Sequence, residues 1–130
     1  MQEVFLRPLL RSGPPSWLQN VRNQQVLARR LITAFDSRSR RSGLLGRERF
    51  DDDHAMIIAP SNAIHTFFMR FPIDVAFVTR GGRVVKACHA VKPWRIAGAF
   101  RAFAAIELPA GTLRRSETIA GDILEIVRAP

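Results

Sequence analysis

A histidine, an arginine and an aspartate share the short stretch Ile64-His65-Thr66-Phe67-Phe68-Met69-Arg70-Phe71-Pro72-Ile73-Asp74. Three kinds of chemistry fit these residue types. His65 with Asp74 is an acid–base pair of the sort an enzyme uses. Ser61 would extend it to a Ser/His/Asp set, but the Gly-Xaa-Ser-Xaa-Gly elbow that exposes such a serine is missing. Arg70 beside Asp74 reads either as an oxyanion-binding guanidinium oriented by an acid, or as a salt bridge. A third choice is a carboxylate that ties down the turn at Pro72. A histidine between large apolar residues is more often a core side chain bonded to a backbone carbonyl than a base or ligand. Downstream, Trp94-Arg95 pairs an aromatic ring with a guanidinium. Such a pair stacks on a flat ligand or a nucleobase, or else caps the end of a β-domain.

Other polar groups carry less. His54, His65 and His89 match no metal-ligand spacing and there is no second cysteine, so no metal is expected. The run Asp51-Asp52-Asp53 reads as a solvated loop. No Gly-rich phosphate loop is present, and no cofactor is expected. Cys88, the single cysteine, lies in the apolar run Val84–Val91 and reads as a small, inert core residue. Glu107, inside Ala104-Ala105-Ile106-Glu107-Leu108, must turn to solvent or meet an arginine. Asp122 follows Gly121 and reads as a turn residue.

Arginine supplies 18 of the 20 basic residues, and the net charge is +9. Most of the excess falls in the first 50 residues, which suits phosphate contacts. GC-rich codon usage would produce the same skew. If the charge is functional, Arg29, Arg30, Arg38, Arg40, Arg41 and Arg47 should share one face for nucleic acid.

These groups must be positioned by short strands. Residues 1–23 read as an irregular lead-in broken at Gly13-Pro14-Pro15, and residues 24–130 as one β-rich domain. The pattern predicts strands over Val26–Phe35 (where Val26-Leu27 and Leu31-Ile32 equally fit a helix face), Ala55–Ala59, Ile64–Arg70, Asp74–Thr79, Arg83–Val91, Phe103–Leu108 and Asp122–Val127. Asp36 is placed as the N-cap of a short helix over Ser37–Ser42 that stops at Gly43. Large apolar residues on both faces of Ile64–Arg70 predict a central strand. A three-residue hairpin loop, Arg80-Gly81-Gly82 with Gly82 left-handed, pairs Thr79 with Arg83 and avoids setting Arg80 against Arg83. That register puts Val75, Phe77, Val85 and Ala87 on one face. The fold class is mostly β with one or two short helices, as a compact sandwich or barrel-like domain.

The segment Ile64–Val78 resembles the core motif of the family known as domain of unknown function 192. Ser42-Gly43-Leu44-Leu45-Gly46, Val91-Lys92-Pro93-Trp94-Arg95, Glu107-Leu108-Pro109-Ala110-Gly111-Thr112 and Gly121-Asp122 extend the resemblance in family order. The resemblance implies a compact β-sandwich-like domain and no established activity. Two positions depart from it. The turn lacks the acidic residues often found there, and Pro60-Ser61 replaces the Pro-Cys of many relatives, so thiol chemistry does not carry over.

No apolar run approaches the roughly 18 residues needed to span a bilayer, and the first residues hold no secretory apolar stretch. A cytoplasmic protein with no membrane partner is therefore expected. The preferred reading is a non-enzymatic binding module. Its site, for a small molecule or a protein segment, would be built from His65, Arg70, Asp74, Trp94 and Arg95. The alternatives are a nucleic-acid-associated protein using the arginine-rich first third, and an enzyme using His65 with Asp74.

Overall fold

The computed structural model describes residues 5–10, 16–42, 44 and 48–128. Ten strands and two short helices follow in the order β1 (Ser16–Asn20), β2 (Val26–Ala28), β3 (Arg30–Ala34), α1 (Ser37–Ser42), β4 (His54–Ile58), β5 (Ala63–His65), β6 (Ile73–Val78), β7 (Val84–Val91), β8 (Ile96–Gly98), β9 (Ala104–Pro109), α2 (Thr112–Arg115) and β10 (Leu124–Arg128). The mostly-β fold with two short helices agrees with the expectation, and the strands form open sheets.

A five-stranded sheet, ordered β3-β4-β9-β6-β7, is the centre of the molecule. Every residue of β6 is buried, as is all of β9 up to Pro109. Alternation along these strands feeds two separate cores. One face carries Ala55, Ile57, Ala76, Val78, Ile106 and Leu108, which pack against Leu18, Leu27, Leu124 and Ile126. Those last four come from the second sheet, ordered β10-β1-β2. The other face carries Met56, Ile58, Val75, Phe77 and Ala105, covered by Leu44, Ile64 and Met69. The layering is that of a sandwich.

Residues 16–20 lie in the stretch expected to be irregular, yet they form β1, which pairs with β10 over five residues. Phe5 and Leu6 are also buried in the first core. The polar Asn20 hid the strand: it is fully buried, and its amide is satisfied by Thr118 and Asp122, about a hundred positions away in the chain. Val26–Phe35 divides into β2 and β3, which enter different sheets. The helix begins as expected: the Asp36 carboxylate accepts the Ser39 N–H at 2.8 Å. Its expected stop at Gly43 lies outside the described residues.

Ile64–Arg70 is not a central strand. Only Ala63–His65 is extended, as one half of a two-stranded ribbon with β8. From Thr66 the chain turns, with the Met69 N–H bonded to the Thr66 carbonyl and Phe68 in the left-handed region at φ 65°. Apolar composition alone does not separate a buried strand from a turn whose aromatic side chains face solvent.

The β6–β7 hairpin combines three registers, with one shift next to the tip and another between Ile73, which pairs with Val91, and Val75, which pairs with Cys88. At its tip Val78 pairs with Val84, and the Gly82 N–H bonds the Thr79 carbonyl, as the three-residue loop requires. One step inward a bulge at Val85 shifts the ladder, so that Phe77 pairs with Lys86 and Ala76 with Ala87. Val85 and Cys88 therefore join Phe77 in the second core, while Ala87 packs on the first. Gly82 has φ +91°, and a Cβ there would stand 2.3 Å from the Leu124 carbonyl oxygen. Gly82→Ala is expected to destabilise the fold by about 2 kcal/mol or more, combining left-handed strain with displacement of β10. A shift in the urea midpoint at constant m checks this; an unchanged midpoint would refute the close approach.

Candidate functional site

Thr66 organises the end of the molecule that carries the motif. It is fully buried although it stands in a turn. Its hydroxyl donates to the Lys92 carbonyl at 2.6 Å and accepts the Arg95 N–H at 2.8 Å. Its own N–H bonds the Arg95 carbonyl and its carbonyl accepts the Trp94 N–H. One side chain thus joins the turn after β5 to the loop before β8. The sequence reading missed this residue. Its signal was a hydroxyl inside an otherwise apolar run, where it must find partners.

The two segments that Thr66 joins present aromatic rings to solvent. Phe68 is 69% exposed and Trp94 56% exposed. Both have left-handed backbones, at φ 65° and 66°, which bulky residues adopt only under constraint. Their rings touch with centroids 4.6 Å apart and planes tilted by 58°. Phe67 stacks between His65 and Trp94, with centroid distances of 4.9 and 5.8 Å. His65 is exposed, and its Nδ1 accepts the Phe67 N–H at 3.3 Å. Ile96 pairs with His65 across the ribbon and is 72% exposed. A continuous string of rings and an isoleucine therefore covers the outer face of the ribbon, while Ile64 and Ala97 face the core.

Asp74 lies elsewhere. It is fully buried on β6, and its two oxygens accept three backbone N–H groups. Ala90 donates to Oδ1 at 2.8 Å, and Gly111 and Leu113 donate to Oδ2 at 3.1 and 2.9 Å. The carboxylate thus clamps the end of β7 to the start of α2. Asp74 borders an open cavity of about 390 Å³ that His89, Arg114 and Arg115 also line. Among the described residues His65 and Asp74 share no hydrogen bond. Arg70 is directed to Glu48, at 3.6 Å, rather than to Asp74. Arg95 is exposed beside Trp94. The structure therefore brings His65, Trp94 and Arg95 to one end of the molecule and places Asp74 apart from them.

The arginines of the first third are spread out. Arg29 and Arg30 flank the start of β3, where Arg29 meets Asp53 at 3.3 Å and lies over the Trp17 ring. Arg38, Arg40 and Arg41 lie beyond the other end of β3, in α1. Arg40 donates to the Phe35 carbonyl. Arg47 lies outside the described residues.

Two other carboxyls have perturbed titration. Asp122, buried after Gly121, accepts the Arg22 guanidinium at 2.7 and 3.0 Å, the Asn20 amide at 2.9 Å and the Ile119 N–H at 3.0 Å. These bonds, led by Arg22, hold it well below the usual carboxylate range. Glu107 on β9 shares the side of Ala105, within the second core. Its Oε1 has no hydrogen-bond partner among the described residues, and burial pushes its carboxyl up to about 7. Burial also pushes the half-buried Cys88 thiol up, which disfavours a reactive thiolate. Among the described residues no group of three His, Cys, Asp or Glu side chains gathers as a metal site would require. No helix among them is long and apolar enough to cross a membrane.

Thr66→Val keeps the side-chain shape but removes both hydroxyl bonds. It is expected to cost about 1–3 kcal/mol and to loosen the two loops. Denaturation midpoints, with acrylamide quenching of Trp94 in a Trp17→Phe background, would check this. Unchanged stability and quenching would show that the hydroxyl does not hold the platform.

No curated protein matches this chain. Two solved structures share its fold. A protein of unknown function from Novosphingobium aromaticivorans is 23% identical, with a TM-score of 0.73 over 85% of this chain and 83% of that one. A Sinorhizobium meliloti protein with a suggested role as a transcription regulator is 20% identical, with a TM-score of 0.75 over 89% of this chain and 97% of that one. The model of domain of unknown function 192 (DUF192), described as an uncharacterized ACR, matches residues 19–126, a span that holds both the Thr66-centred platform and the Asp74 clamp. The chain belongs to the DUF192 family.

Proposed function

We propose that this chain is a non-enzymatic binding module whose recognition surface is the aromatic platform of Phe67, Phe68 and Trp94, flanked by His65 and Arg95. The observation that carries this reading is backbone strain. Phe68 and Trp94 both occupy left-handed backbone while exposing most of their side chains. Each such position costs on the order of 1–2 kcal/mol for a residue other than glycine. Burial returns little of that cost, since the rings face water. Selection for stability alone would favour glycine or asparagine there. Strain kept without a packing return is a mark of function.

The acid–base alternative has less support. Asp74 is fully buried, shares no hydrogen bond with His65 among the described residues, and directs its two oxygens to three backbone N–H groups. A base or orienting acid needs a free lone pair facing its substrate.

A photo-cross-linking residue at position 96 tests the binding reading. In cells it should form a discrete adduct that Trp94→Ser abolishes, while the variant keeps the parent melting temperature. An adduct that survives Trp94→Ser, or that forms equally from position 38, would place recognition elsewhere.

A further inference from the structure

The chemistry of the platform's surroundings narrows the partner, if the binding reading above holds. Arg70, Lys92 and Arg95 flank the platform along the chain, Lys86 reaches the Gly98 carbonyl at the end of β8, and the one acid between Asn62 and Ala102, Asp74, is fully buried. Glu48 sits 3.6 Å from Arg70 and offsets that cation. Lys92, Arg95 and Arg101 are exposed. They are interspersed along the chain with Trp94, Ile96 and Phe100, the last 94% exposed beyond the far end of the ribbon. The surface thus offers protruding apolar groups interleaved with cations, which complements a partner that is anionic outside and apolar just beneath.

We infer that the β5–β8 ribbon docks on an anionic lipid bilayer, seating Phe68, Trp94 and Ile96 at the headgroup level while Lys92 and Arg95 meet lipid phosphates. No spanning segment is needed, because a few projecting side chains suffice when basic residues add electrostatic attraction. The absence of an apolar span, which led to the expectation of no membrane partner, does not bear on such surface docking. Single-stranded nucleic acid is the closest competitor, since aromatic rings beside arginines also suit nucleobases. Two observations favour lipid. Phe68 and Trp94 already touch each other and leave no slot for a base between them. Ile96, among the most exposed large side chains on the ribbon, has no ring face to offer a base. A bilayer interface accepts aromatic and aliphatic groups alike.

The test is co-sedimentation of the full chain with vesicles of phosphatidylcholine alone, and of phosphatidylcholine mixed with phosphatidylglycerol. Binding should require the anionic lipid and weaken as salt is raised. Phe68→Ser/Trp94→Ser, and separately Lys92→Glu/Arg95→Glu, should each weaken it by about tenfold or more without lowering the melting temperature. Equal binding to neutral vesicles, binding unaffected by either pair of substitutions, or no binding at low salt would overturn the inference. So would an oligonucleotide that binds the wild type, is lost on Phe68→Ser/Trp94→Ser and competes with vesicles; the binding module would then stand with a different partner. If the vesicle arms fail while the position 96 adduct still depends on Trp94, only the lipid assignment falls. If that adduct fails as well, the binding reading falls with it.

Discussion

Asp74→Ala is expected to cost about 3–5 kcal/mol of folding stability. The carboxylate is the shared acceptor for Ala90, Gly111 and Leu113, and a hydrogen bond to a charged group contributes roughly 1.5–3 kcal/mol net. The three do not simply add. Ala90 and Gly111 are exposed beside the open cavity, so water can reach their N–H groups once the side chain is gone. The Leu113 side chain is fully buried, and its N–H bears most of the loss. Asp74→Asn should be nearly as harmful. An amide keeps one acceptor oxygen but turns its NH₂ toward donors on the other side. Urea unfolding at constant m measures both variants. A loss under about 1 kcal/mol for Asp74→Ala would mean that the three bonds do not hold β7 to α2.

The second large effect is a dependence on pH. Glu107 ordinarily titrates near 4.3 when unfolded, but in the fold burial pushes it up to about 7. The folded state therefore binds more protons than the unfolded state between these values. Stability is fully present below about pH 4 and is lost as pH rises through 7, by roughly 4 kcal/mol in all. Asp122 acts in the opposite sense. Its carboxyl is depressed by Arg22, so its contribution is present at neutral pH and is lost on strong acidification. The fold should be most stable in mildly acid solution. Thermal melts across pH should show the wild type more stable at pH 5 than at pH 8, with Glu107→Gln nearly flat over that range and more stable than the wild type at pH 8. A wild type that is equally stable at both values would mean that a partner satisfies Glu107 in solution.

The near-continuous apolar runs Ile73–Val78 and Ala104–Leu108 determined two buried strands, since only a sheet covered on both faces can take such runs. Asp36 determined where the helix begins, and Gly82 determined the hairpin tip, because both effects act within a few residues. The aromatic and cationic character of the platform was also legible at His65, Trp94 and Arg95. Other features depend on contacts between residues far apart in sequence. β1 exists because residues 124–128 lie beside it. The Asp74 clamp needs donors 16 to 39 positions away, and Thr66 needs the loop that carries Lys92 and Arg95. Periodicity cannot reveal such partners. The exposure of Phe68 was hidden for a related reason: a phenylalanine has the same apolar side chain in a core as on a turn, and here it lies in the turn that follows Thr66, whose hydroxyl is tied to the Lys92–Arg95 loop.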